Sequence, residues 1–170
     1  FVTACRAEGI VPFLYHTTLD WCWHSGDDAR FDAYLDYLHD SVELLCTHYG
    51  ELGGFWFDGN WSRPGADWKL DRLYGTIRRL QPEAVIIDNT GLNAHGHVGH
   101  PEIDSVTFEQ GIGKSINRAG QPKYVAAESS QTMNAHWGVT KHDFTYLSPG
   151  QAIENLANCR KTGANYLLNL

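Results

Sequence analysis

Four short apolar runs in this 170-residue chain end in an acid: Asp58 after Phe55-Trp56-Phe57, Asp88 after Val85-Ile86-Ile87, Glu109 after Val106-Thr107-Phe108, and Glu128 after Val125-Ala126-Ala127. A fifth run ends in Tyr15-His16. Polar residues just past the C-terminal ends of parallel strands are where barrel enzymes keep their chemistry. An acid behind Phe-Trp-Phe gains nothing from being a solvated surface charge. Asp58 is therefore read as a half-buried functional group rather than a structural ion pair. Several carboxyls at one mouth suit nucleophilic attack combined with acid/base work. Retaining glycosidases use two such groups ~5–5.5 Å apart, one attacking the anomeric carbon and one protonating the leaving oxygen. The nucleophile must stay ionised among donors, and the acid must keep its proton in drier or more negative surroundings.

The elements that would position these residues are legible. Ile10–Tyr15 reads as a strand, with Gly9 closing the helix before it. Phe31, Tyr34, Leu35, Leu38, Val42 and Leu45 recur at helical spacing, which predicts a helix over about 29–48. Gly53–Phe57 is a strand that runs into Asp58-Gly59. Leu70, Leu73, Tyr74 and Ile77 mark the next helix, which ends before Pro82. Ala84–Ile87 has the continuous apolar character of a strand buried on both faces. Ser105–Phe108 and Tyr124–Ala127 are two more strands, separated by a loop rich in Gly, Asn and Pro. Ser148 as N-cap and Pro149 at the first helical position start a helix that Gly163 ends, and Asn165–Leu170 is the last strand.

About six mostly parallel strands with helical crossovers fit two architectures: a doubly wound α/β sheet, or most of a (β/α)8 barrel lacking its first units. Complete barrels need ~250 residues. No glycine-rich phosphate loop follows any strand, and Gly111-Ile-Gly-Lys114 lacks the spacing of one.

Composition narrows the partners. The chain is 42% hydrophobic and 19% charged, values of an ordinary globular domain. Its formal net charge of −7 argues against nucleic acid, which needs a basic face. No apolar run reaches membrane-spanning length. Six Trp and eight Tyr are enough to supply both core and sugar platforms. The chain opens inside a helix and stops after a strand, so both ends read as cuts in a longer protein, and no targeting signal can be inferred. Cys5, Cys22, Cys46 and Cys159 are scattered without a CxxC pair and read as free buried thiols.

Four segments then resemble a known family. Gly54-Phe-Trp-Phe-Asp58-Gly59 is similar to the nucleophile motif of the α-L-fucosidases of glycoside hydrolase family 29. Leu14-Tyr-His-Thr-Thr-Leu-Asp-Trp21 resembles the family's LYxS…(D/E)W strand and loop. Glu128–Gly138 resembles its E-T-x-x-T-(I/M)-N-x-x-W-G segment, and Gly163–Leu170 its G-G-N-(Y/L)-L-L-N-(I/L) strand. They occur in the family's order and span nearly the whole chain.

The resemblance implies that residues 1–170 are the C-terminal part of a distorted (β/α)8 catalytic barrel, with N-terminal units and any following β-sandwich outside the chain. It implies retaining, exo-acting removal of terminal α-L-fucose from a fucosylated glycan, without metal or organic cofactor. Asp58 matches the nucleophile. Thr107-Phe-Glu-Gln110 occupies the interval of the family's acid/base string, so Glu109 is the expected acid/base and Glu128 the runner-up. Tyr15, His16, Trp21, Trp56 and Trp61 are the expected substrate-binding residues. Tyr15 and His16 alternate across a strand, so only one of them faces the sugar.

The chain departs from the family in two places. Ala127 stands where many members have Trp, and Asp88-Asn89-Thr90 carries no Arg where many have one. The family's upstream H-H-D-G-F segment lies outside the chain.

Trp23 shares the Trp21 loop, where each ring serves as a sugar platform or folds back to pack on the barrel. His95, His97 and His100 could bind zinc but lack a completing ligand, and read as a mobile active-site loop or as solvated loop residues without a role. Asp27-Asp28 suits a helix N-terminus. Another retaining barrel glycosidase, a silent sugar-binding relative and a metal-dependent hydrolase are the rival functions, and a homo-oligomer is compatible with all of them.

Overall fold

The structure, a computed structural model, describes residues 1–22 and 28–170. Trp23 and Asp27 therefore lie outside the described residues. The chain divides into two compact units, residues 1–88 with 100–103, and residues 89–99 with 104–170. Among the described residues no helix is long and apolar enough to cross a membrane.

The first unit runs α1 (Val2–Ala7), β1 (Phe13–Thr17), α2 (Asp28–His48), β2 (Gly54–Asp58), a 3-10 turn (Asn60–Ser62), α3 (Leu70–Leu80) and β3 (Val85–Asn89), whose last residue falls in the second unit. β1, β2 and β3 are neighbours in chain order. β1 and β2 pair in parallel, Phe13 opposite Gly54 and Thr17 opposite Asp58. Parallel neighbours need a crossover, and α2 provides it. Its buried stripe Phe31, Tyr34, Leu35, Leu38, Val42 and Cys46 follows the helical period predicted from sequence. α3 buries Leu73, Tyr74 and Ile77. With Phe55, Phe57 and Ile86, all fully buried, these side chains make the core of the unit. Each such side chain contributes about 1.5–3 kcal/mol relative to its exposed state. Arg78 ties residues 100–103 to this unit, donating to the Glu102 carboxylate at 2.8 Å and to the carbonyls of Glu102 and Ala84.

The second unit holds β4 (Ser105–Glu109), β5 (Ala126–Thr132), α4 (Pro149–Thr162) and β6 (Ala164–Asn169). β4 pairs in parallel with β5, and β5 with β6. The link from β4 to β5 has no helix. Its Gly113 passes so close to β5 and β6 that a Cβ would sit 2.8 Å from that of Ala164. α4 starts with a full capping box, Ser148 and Gln151 each accepting the other's backbone N–H, and ends at Gly163 in the left-handed region.

All four cysteines are free. Cys46 and Cys159 are buried as expected, whereas Cys22 is exposed and Cys5 only partly covered.

Candidate active site

Asp58 closes β2, and both of its carboxyl oxygens are held. The Tyr15 hydroxyl donates to Oδ2 at 2.8 Å, and the Trp61 indole N–H donates to Oδ1 at 2.8 Å. The first donor follows from strand register. Tyr15 lies opposite Trp56, two residues before Asp58 and on the same face of the sheet. The two rings stack with centroids 5.6 Å apart, which aims the tyrosine hydroxyl along the strand toward the carboxyl. The second donor depends on a turn. Gly59 sits at φ 126°, and a Cβ there would lie 2.6 Å from the Leu19 nitrogen. Glycine permits that approach, and the 3-10 turn that follows brings Trp61 back over Asp58. The Asp58 carbonyl is fixed as well, accepting from the Thr18 N–H at 2.6 Å and from the Thr17 and Thr18 hydroxyls at 3.1 Å each. Tyr34, from α2, holds Thr18 in turn at 2.7 Å.

Asp88, near the end of β3, is 3% exposed. Burial, and secondarily the charge of Asp58, push its carboxyl up to about 7. The Asn60 amide donates to its Oδ1 at 3.4 Å. Tyr74, from α3, is fully buried against the same group, and burial and the Asp88 charge raise its phenol well above the usual range.

In the second unit, Glu109 ends β4 half-buried and accepts from the Asn89 amide at 3.0 Å. Asn89 is itself oriented by the Thr107 hydroxyl, which donates to its Oδ1 at 2.7 Å. The residue after Glu109, Gln110, takes a left-handed φ of 53°, ending the strand there. Glu128 is different in kind. It lies inside β5, 3% exposed, and accepts from Asn165 of the paired strand β6 at 3.0 Å.

Tyr15, Trp56 and Trp61 thus gather around Asp58. His16 does not join them. Its ring turns to the other face of β1, with Nε2 2.9 Å from the Ser41 hydroxyl of α2 and Nδ1 2.8 Å from the Thr17 carbonyl, and burial lowers its pKa. Trp21 is 86% exposed in the turn after β1. In the 90–104 loop, His100 meets Asp71 of α3 at 3.0 Å and His95 packs against Phe108. Among the described residues no group of three His, Cys, Asp or Glu side chains is arranged to hold a metal.

Sequence reasoning placed Asp88 and Asn89 at a strand end without giving either a role. Asn60 carried no signal at all, because its importance comes from the turn that Gly59 makes possible.

The sequence profile described as alpha-L-fucosidase matches residues 1–170. The chain therefore belongs to the α-L-fucosidase family of glycoside hydrolases. Among solved structures it is similar to α-L-fucosidase isoenzyme 1 from Paenibacillus thiaminolyticus, at 31% identity and a TM-score of 0.82 over 99% of this chain. A second likeness, of fold alone, is to α-L-fucosidase AlfC from Lactobacillus casei in complex with its α-L-fucose product, at 20% identity and a TM-score of 0.73. The chain spans 45% of the first structure's length and 56% of the second's. Its fold class is the incomplete (β/α) barrel expected from the motif order. A search of curated protein sequences finds no significant match.

Proposed function

We propose that the full-length protein is a retaining, exo-acting α-L-fucosidase that removes terminal α-L-fucose from a glycan, with Asp58 as nucleophile and Glu109 as acid/base. The observation that carries this reading is the carboxyl of Asp58 at the end of β2, clasped by Tyr15 and Trp61. Asp58 attacks the anomeric carbon as the leaving oxygen takes a proton from Glu109. The resulting fucosyl ester is then hydrolysed by water that Glu109 deprotonates, which regenerates both groups and retains configuration. A preoriented nucleophile lowers the barrier by removing the search for a reactive geometry.

Glu109 is preferred to Glu128 because it ends its strand half-buried with a single amide partner, whereas Glu128 is sealed inside β5. Tyr15 and Trp56 form an aromatic wall beside the nucleophile, and Trp21 adds an exposed ring in the adjoining turn. His16, engaged with α2, supports β1 from behind. The reaction takes a fucosylated glycan as its partner and uses no metal or organic cofactor.

The test is hydrolysis of an aryl α-L-fucoside by the full-length protein and by Asp58→Asn. The expected result is a loss of roughly 10⁴-fold or more in kcat with the fold intact, the scale seen when an essential nucleophile is removed. A mutant that keeps wild-type turnover would remove the nucleophile assignment. A wild type inert toward the fucoside but active on another aryl glycoside would move the substrate class.

A further inference from the structure

The turn that carries Trp61 has an anchor, and the anchor is a carboxyl. We infer that Asp88 and Asn60 form a positioning pair for Asp58: the Asp88 carboxyl holds the Asn60 amide, and with it the turn from which Trp61 donates to the nucleophile. The inference rests on the reading of Asp58 as nucleophile and adds a second carboxyl that never touches the sugar.

The geometry runs through consecutive residues. Asn60 and Trp61 are neighbours in one 3-10 turn. The amide of the first bonds to Asp88 and the indole of the second bonds to Asp58. The turn is thus pinned between the ends of β2 and β3. Backbone bonds from Ser62 to Gly59 and from Arg63 to Asn60 close the turn, and the Asp88 contact adds the tie to β3 that helps hold the indole on Oδ1.

The hydrogen bonding of the cluster is also incomplete. Asn60 Oδ1 and the Tyr74 hydroxyl are both buried without a completed hydrogen bond among the described residues. A buried acceptor left without a donor is costly, and the groups around Asn60 that could supply one are the Tyr74 hydroxyl and a protonated Asp88. The surroundings favour that state. Among the described residues, the charged and titratable groups that bear on Asp88 are Asp58 from β2 and Tyr74 from α3, with His100 edge-on to the Tyr74 ring at 5.0 Å and itself 3.0 Å from Asp71. Burial and Asp58 move the carboxyl up to about 7. Below that pH Asp88 holds its proton and donates. Above it, a second negative charge appears beside the nucleophile and the donor is lost.

The experiment measures kcat, KM and the pH profile of the full-length protein on an aryl α-L-fucoside. It compares wild type with Asp88→Ala, Asn60→Ala, Asp88→Asn and Asp58→Asn. Asp88→Ala and Asn60→Ala are expected to lower kcat by up to about a hundredfold with KM little changed, the penalty of a misplaced reacting group. Asp88→Asn keeps an acceptor for Asn60 and a donor for its oxygen but cannot ionise. It is expected to recover most of the kcat lost in Asp88→Ala and to move the alkaline limb of the profile to higher pH. If Asp58→Asn is inactive while Asp88→Ala and Asn60→Ala keep wild-type kcat and profile, the positioning pair alone is overturned. It is overturned equally if Asp88→Asn fails to recover kcat, or leaves the alkaline limb in place. Should Asp88→Ala not fold, Asn60→Ala and Asp88→Asn carry the test. Full activity in Asp58→Asn overturns the nucleophile reading and the pair with it.

Discussion

Asp88 couples stability to pH through the same burial that holds its proton. Its carboxyl stands at about 7 in the folded chain against 3.8 for the free group. A raised carboxyl binds its proton more tightly in the folded state than in the unfolded one. Its contribution is fully favourable below about pH 4 and is lost as pH climbs to about 7. Asp88→Asn removes the titration. The variant is expected to match wild type near pH 4 in urea unfolding and to exceed it by roughly 2–4 kcal/mol above pH 7. Equal stability across that range would place the Asp88 carboxyl among ordinary ones. Asp58 could be read from sequence because Phe-Trp-Phe-Asp-Gly states its strand, its burial and its turn together. Asp88 gave only half of this. Its run showed a strand end, but the crowding of Tyr74 and Asp58 against it arises from different elements meeting, which no local pattern encodes. His16 was ambiguous by one residue of strand parity, and its bond to Ser41 of α2 gives its side of the sheet.

The elements came through where side-chain periodicity and punctuation agreed. α2 and α4 are the clearest cases, one marked by its apolar stripe and the other by Ser148, Pro149 and Gly163. The capping box makes a prediction at this scale. Ser148→Ala removes the side-chain acceptor for the Gln151 N–H and is expected to cost about 0.5–2 kcal/mol in thermal or denaturant unfolding. A variant as stable as wild type would mean the box is redundant with Pro149. Strand limits were less legible. β1 begins at Phe13 rather than Ile10, since Pro12 has no N–H to offer a ladder. β5 runs on from Ala126 to Thr132 through Ser129, Ser130 and Gln131, all buried. Such a polar run does not look like a core strand. Two of these side chains find partners remote in sequence: Gly113 and Cys159 for Ser129, and Asn155 for Gln131.

At the scale of the whole molecule, the order of four motifs carried more than any composition figure. The pattern of strands and helices fitted both a doubly wound sheet and an incomplete barrel. The motif order, the profile match over residues 1–170 and the structural likeness at 31% identity agree on the barrel. The formal net charge of −7 gives the chain no basic excess to attract a polyanion. The proposed chemistry needs only carboxyls, so fucoside hydrolysis by the full-length protein is expected to be unchanged after exhaustive dialysis against EDTA. A loss restored by zinc would reopen the histidine loop at 95–100 as a metal site.

The clasp on Asp58 has a consequence for the second half of the double displacement proposed for the full-length protein. A carboxylate that attacks must later depart, and it departs more readily when its negative charge is spread. Whichever oxygen bonds to the sugar gives up its donor, and the other becomes the ester carbonyl with its donor still in place. The clasp therefore makes Asp58 a better leaving group at some expense of its nucleophilicity. Trp61→Phe or Tyr15→Phe should then slow ester breakdown more than ester formation. The sign would be a pre-steady-state burst of aryl alcohol approaching the enzyme concentration and larger than in wild type, while equal slowing of both steps would leave the burst at its wild-type size.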